Sequence, residues 1–167
     1  RNYVVIGKER HDVGRPNDQG YPIRGIVTAE YIYLHNFETD RWPAGNPETG
    51  YLNTDGSPTK TQILNDRRQN GSSTNWNLAF GKRPGEELFK RVTDPFAMQN
   101  LAIHPEYQVI KEQLKERLFQ QLKEEEDPRM FGKGYIFDEY KYSGAVNDFY
   151  NRFMQGDSIA TGWVNKY

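Results

Sequence analysis

Gly7-Lys8-Glu9-Arg10-His11-Asp12 is the densest polar cluster in the sequence. It follows the β-branched run Tyr3-Val4-Val5-Ile6, so a strand ended by Gly7 would project these side chains into a cleft. Arg10 and His11 are residue types that hold an anionic oxygen through charge-assisted hydrogen bonds, with Glu9 or Asp12 orienting one of them. The same residues also fit a solvated strand-to-loop junction, and on spacing alone that plainer reading is the stronger. Arg24, flanked by Ile23 and Ile26 in a second strand run, either caps a sheet edge or reaches a ligand or partner. His35 shares a strand face with Tyr31 and Tyr33 and reads as a packed histidine. His104, directly before Pro105, is accounted for by a turn at a helix start.

Other chemistries are excluded by composition or spacing. The sequence has no cysteine, which removes disulfides, thiolate nucleophiles and Cys-based zinc sites, and its three dispersed histidines make a poor zinc set. Phosphate-binding glycine loops and the G-x-S-x-G elbow are absent. Asp55-Gly56-Ser57 lacks the rest of a calcium loop and reads as a turn. With 22 basic against 23 acidic residues, no overall field draws nucleic acid or an anionic membrane surface. No apolar run approaches the roughly 20 residues that a transmembrane helix needs.

The elements that must position these groups follow from periodicity. Tyr3–Ile6, Pro22–Val27, Tyr31–His35 and Glu87–Val92 read as strands, the middle two joined as a hairpin. Residues 36–85, rich in Gly and Pro, read as a long irregular loop with a short helix at 59–68, a length that favours a functional role or contact with another domain. Tyr107, Ile110, Leu114, Leu118 and Leu122 recur at helical spacing after Pro105, and Asp127-Pro128 ends that helix. Tyr135–Phe137 is strand-like, Val146–Met154 a short helix and Thr161–Val164 an extended tail. The result is an α+β fold: a small antiparallel sheet of about four strands with one long helix across it. Aromatic residues reach 14% against a mean hydropathy of -0.93. Such density suits contact with sugar or a partner domain, although thin cores also use large side chains. A chain that opens in mid-strand without Met reads as a fragment or mature piece of a longer protein.

Residues 86–102, Glu-Glu-Leu-Phe-Lys-Arg-Val-Thr-Asp-Pro-Phe-Ala-Met-Gln-Asn-Leu-Ala, resemble the sulfatase C-terminal signature: a strand, an Asp-Pro turn, then Asn-Leu-Ala and an amphipathic helix. Lys90 stands where that family usually has Asp. Gly20-Tyr21-Pro22-Ile23-Arg24 with Tyr31-Ile32-Tyr33 is similar to the family's hairpin stretch. Gly7–Asp12, Arg41-Trp42-Pro43-Ala44-Gly45 and Asp55–Thr61 resemble its heparan N-sulfatase branch.

The resemblance implies an alkaline-phosphatase-like sulfatase. Its C-terminal subdomain would be residues 1–130, including the loop 36–85, followed by an extension over 131–167. It implies a formylglycine and a calcium ion in an upstream catalytic domain, and none in this chain, which has no C/S-x-P-x-R motif. It implies a secreted or periplasmic protein (lysosomal in a eukaryote) acting on a sulfated, glycosaminoglycan-type saccharide. Glu9, Arg10, His11, Asp12 and Arg24 would then face substrate. Apolar surface for the catalytic domain is expected around Trp42, Tyr51 and Trp76. The rivals are a free-standing carbohydrate-binding module and an interaction domain with no sugar role.

Overall fold

The computed structural model describes residues 2–11, 13–49, 56–144 and 146–159. In chain order it contains β1 (Tyr3–Lys8), β2 (Ile23–Thr28), β3 (Tyr31–Asn36), α1 (Pro58–Asn70), α2 (Thr74–Ala79), β4 (Glu86–Lys90), α3 (Gln108–Glu124), α4 (Ile136–Glu139) and α5 (Phe149–Met154). Short 3-10 turns lie at Pro16–Asp18, Pro105–Tyr107 and Pro128–Phe131. The chain forms two compact units. The first joins Arg1–Glu9, Pro22–Glu38 and Pro84–Phe137; the second joins Arg10–Tyr21, Thr39–Arg83 and Asp138–Tyr167.

The first unit is the sheet with its helix, an α+β arrangement as the sequence predicts. Its strands run in the order β1-β2-β3-β4, each pair antiparallel. Val5, Ile26, Tyr33 and Leu88 stand in register across them. Alternation places this row on one face, where Ile26, Tyr33 and Leu88 join Leu114, Leu118 and Leu122 of α3 in a single core. Burial of each such side chain contributes about 1.5–3 kcal/mol. Tyr107 and Ile110, the start of the predicted stripe, pack at the edge of that core. Pro105 opens a 3-10 turn that leads into α3. The helix ends at Glu124, close to the Asp127-Pro128 stop.

Gly7 does not end β1, as the sequence suggested; the strand continues to Lys8. Gly7 stands opposite Arg24, and a Cβ there would lie 3.0 Å from the Arg24 Cδ. The missing side chain makes room for an arginine. Asn100-Leu101-Ala102 has a physical role as well. Asn100 Oδ1 accepts from the Leu88 and Ala102 amides, its Nδ2 donates to the Glu86 carbonyl, and Leu101 N–H donates to Leu88 O. This segment satisfies the outer edge of β4, which would otherwise expose unpaired backbone groups.

In the second unit the helix expected at 59–68 is present as α1, and α2 is added to an otherwise largely irregular stretch. Ser57 caps α1 by accepting from the Lys60 amide, and Ser73 caps α2 by accepting from Trp76. Leu64, Trp76 and Phe80 form a small core flanked by Trp42, Ala44 and Ile63. Trp76 is only 3% exposed, so it adds nothing to an apolar surface, and Trp42 packs edge-on against it. Most large exposed apolar side chains among the described residues lie instead in the first unit, with Val4 at 61%, Ile103 at 80% and Phe96 at 83%, while Tyr140 and Met154 are exposed in the second. Tyr135–Phe137 is not a strand; Ile136 begins α4. The helix expected from Val146 starts at Phe149. Asp12, Tyr51, Asp55 and Thr161–Val164 lie outside the described residues.

Candidate functional site

The division between the two units falls between Glu9 and Arg10, so the predicted cluster is shared between them. In the first unit Glu9 belongs to an ionic network with Arg24, Arg129 and Asp127, and Glu38 approaches Arg129 at 3.9 Å. Arg24 projects from β2 beside Gly7, donating from Nε to Asp127 Oδ2 at 2.6 Å and from Nη2 to Glu9 Oε1 at 2.6 Å. Arg129 donates to the same Glu9 carboxylate from Nε at 2.8 Å and Nη2 at 2.7 Å. Asp127 is shared too: Oδ2 takes Arg24, and Oδ1 caps the following turn at the Arg129 amide. Burial works against the charge on Arg24, but hydrogen bonds to Asp127 and Glu9 outweigh it and raise its pKa. Side-chain exposures of 9% for Arg24, 5% for Arg129 and 10% for Asp127 place the network largely out of water. The rings of Phe37 and Phe137 lie 5.3 and 5.4 Å from the Arg129 guanidinium.

Glu9 therefore orients Arg24 and Arg129 in place of Arg10 or His11. Arg24 is a clamp between β1 and the end of the α3 segment. Arg129 and Asp127 escaped the sequence reading, which treated Asp127-Pro128 only as a helix stop. The signal available was an Asp two residues before an Arg, a spacing that lets one carboxylate cap a turn.

Arg10, in the second unit, has different partners. Its Nη1 donates to Asp18 O at 3.0 Å, its Nη2 to Tyr140 O at 2.8 Å, and its guanidinium carbon lies 5.7 Å from the Tyr142 ring centroid. The last distance is within cation–π range. Asn17 and Asp18, with φ of 56° and 54°, make the left-handed turn that presents the Asp18 carbonyl, and Asn and Asp tolerate that region better than other residues. Asp18 is held in turn by the Asp148 amide, which donates to its Oδ2 at 2.7 Å. His11 is exposed. Arg41 donates to both oxygens of Asp138, at 3.1 and 2.8 Å, and anchors the segment that carries Tyr140 and Tyr142. Among the described residues the Arg10 contacts are two carbonyls and a ring, so its positive charge keeps its capacity for an anion.

The remaining predicted histidines are structural. His35 packs edge-on against Phe37 and Phe119, and burial lowers its pKa. His104 precedes the Pro105 turn and lies 3.8 Å from Glu106. A second, half-buried cluster fastens α3 to the sheet. Glu86 accepts from Tyr33 Oη at 2.7 Å and from Lys111 at 3.2 Å, with Lys115 at 3.0 Å. Desolvation pushes its carboxyl up, but the bonds from Tyr33, Lys115 and Lys111 prevail and bring it down to about 2.

Among the described residues no group of three or more His, Cys, Asp or Glu side chains is placed to hold a metal ion. No helix among them is long and apolar enough to cross a membrane. No protein-family model matches the chain. Over 126 residues, 75% of its length, the chain is 30% identical to an ulvan-active sulfatase of Formosa agariphila. The chain spans 22% of that protein, so the similarity is to one stretch of a sulfatase.

Proposed function

We propose that this chain is the C-terminal, substrate-side part of a sulfatase that hydrolyses sulfate esters or sulfamates of a saccharide. The observation that carries the proposal is the 30% identity, over 75% of this chain, to part of a sulfatase. The sheet-plus-helix unit and the Asn100-Leu101-Ala102 edge agree with it. The residues described do not fit a calcium ion, and the sequence has no C/S-x-P-x-R, so in this reading calcium and formylglycine belong to an upstream catalytic domain. The exposed apolar side chains of the first unit are where that domain would seat. The protein would be secreted or periplasmic.

Substrate contact falls to Arg10, whose charge remains available, and to His11, which is exposed, with Asp12 beside them in sequence. Arg24 and Glu9 act on the chain itself. The motifs that resemble heparan N-sulfatases point to a glycosaminoglycan, whereas the similar protein acts on ulvan. The test measures inorganic sulfate released by the full-length protein from heparan sulfate oligosaccharides and from ulvan. Release from either supports the reading and selects the substrate. Saccharide binding without release would make the protein a binding module. The 167-residue chain alone is expected to release no sulfate, with or without calcium.

A further inference from the structure

The turn after β4 is firmly built, yet it holds apolar side chains in solvent. Asp94 organises it: its two carboxylate oxygens accept from the Met98 and Gln99 amides, at 3.0 and 2.8 Å, and its carbonyl accepts from Ala97 N–H. Arg91 ties the start of the turn to the β2–β3 connection, its amide donating to Glu30 O at 2.8 Å and its Nη1 to Thr28 O at 2.7 Å. Ala97 has φ of 51°, a left-handed backbone that costs a residue other than glycine, and the bonds to Asp94 hold it there. On this frame Val92, Phe96 and Met98 are 72%, 83% and 57% exposed. None of the three belongs to the core of the first unit.

The chemistry of the turn selects its partner. From Val92 to Gln99 the only charged residue is Asp94, and amides take both of its oxygens, so the turn offers nothing to an anionic sugar. Phenylalanine and methionine without neighbouring lysine or glutamate match the centre of a protein–protein interface. A turn already fixed in one shape loses little entropy on docking. The chain spans 22% of the ulvan-active sulfatase that it resembles, so in the proposed reading most of the enzyme lies outside it and packs against it. We infer that the turn after β4 is the anchor of that packing: Phe96, flanked by Val92 and Met98, inserts into an apolar pocket of the catalytic domain of the same protein. The inference rests on the sulfatase reading and narrows the seat of that domain to one turn.

The test uses the full-length protein. A side chain 83% exposed in this chain contributes little to the chain's own fold, so stability lost with it reports burial against another part of the protein. Phe96→Ala should lower the Tm of the full-length protein by roughly 2–4 °C, and Phe96→Asp by more. Phe96→Leu, which keeps an apolar anchor, should fall by less than Phe96→Ala. The native mass should be the same for wild type and Phe96→Asp. A wild-type dimer that Phe96→Asp converts to monomer would mean that the turn joins two copies, and the inference would be wrong. If Phe96→Ala and Phe96→Asp keep the wild-type Tm in a protein that releases sulfate from heparan sulfate or ulvan, the anchor is wrong and the sulfatase reading stands. If the wild-type protein releases no sulfate from either saccharide, the reading itself fails, and the catalytic domain as occupant with it.

Discussion

Arg24 in the first unit meets the carboxylates of Glu9 and Asp127 at 2.6 Å each, whereas Arg10 in the second meets two backbone carbonyls and the ring of Tyr142. Both arginines are plausible anion ligands by sequence, and the partners decide between them. A guanidinium between two carboxylates is neutralised where it stands and stabilises the fold. One that donates to carbonyls is fixed in direction but keeps its charge for an incoming anion. Exposure is the second condition. Arg15 also donates to carbonyls, those of Trp42, Pro43 and Gln19, but it is fully buried and no ligand can reach it.

Breaking the paired arginine should have the largest effect. Arg24→Ala leaves Asp127 without its guanidinium partner in a site largely out of water, while Glu9 keeps Arg129, and should cost about 3–5 kcal/mol of stability by denaturant unfolding. A loss under ~1 kcal/mol would mean that the network is solvated and the contrast with Arg10 is false. Leu114→Ala removes a side chain that is 5% exposed from between α3 and the sheet, and should cost about 2–5 kcal/mol. Leu114→Asp should prevent folding; if it melts like the parent, α3 does not cover the core.

A milder effect comes from Glu86, whose carboxyl sits at about 2 in the folded chain against an ordinary value of 4.5. A depressed acid contributes its full stabilisation above the unfolded value. That contribution should therefore fade as pH drops from about 4.5 towards about 2. Glu86→Gln should flatten this part of the stability profile, and an unchanged acid limb would remove Glu86 from the account. Smallest of all should be the stability change in His11→Ala, within ~0.5 kcal/mol, because its side chain is exposed.

Much of the first unit was legible in the sequence because periodicity carries it. Alternation along Tyr31–His35 and the Leu114, Leu118, Leu122 stripe each commit a face before any neighbour is known. The second unit was harder because its signals are caps rather than periods. Ser57 and Ser73 each start a helix, but in a Gly- and Pro-rich stretch they read as loop residues. Gly7 misled for a related reason: glycine usually ends a strand, and only the position of Arg24 across the pair shows that it was clearing space. The clamp on Glu9 was invisible because Asp127 and Arg129 lie far from it in sequence, and only the fold brings the three together.

In the proposed reading Arg10 holds a substrate anion while Arg24 holds the fold. It is tested most directly by kcat/KM of the full-length protein on two substrates, a sulfated saccharide and a small aryl sulfate that reaches only the sulfate pocket. A charge-assisted bond to an anion is worth roughly 1.5–3 kcal/mol, so Arg10→Ala should lose about ten- to a hundredfold on the saccharide and almost nothing on the aryl sulfate. Equal losses on both substrates, or no loss on either, would contradict the assignment.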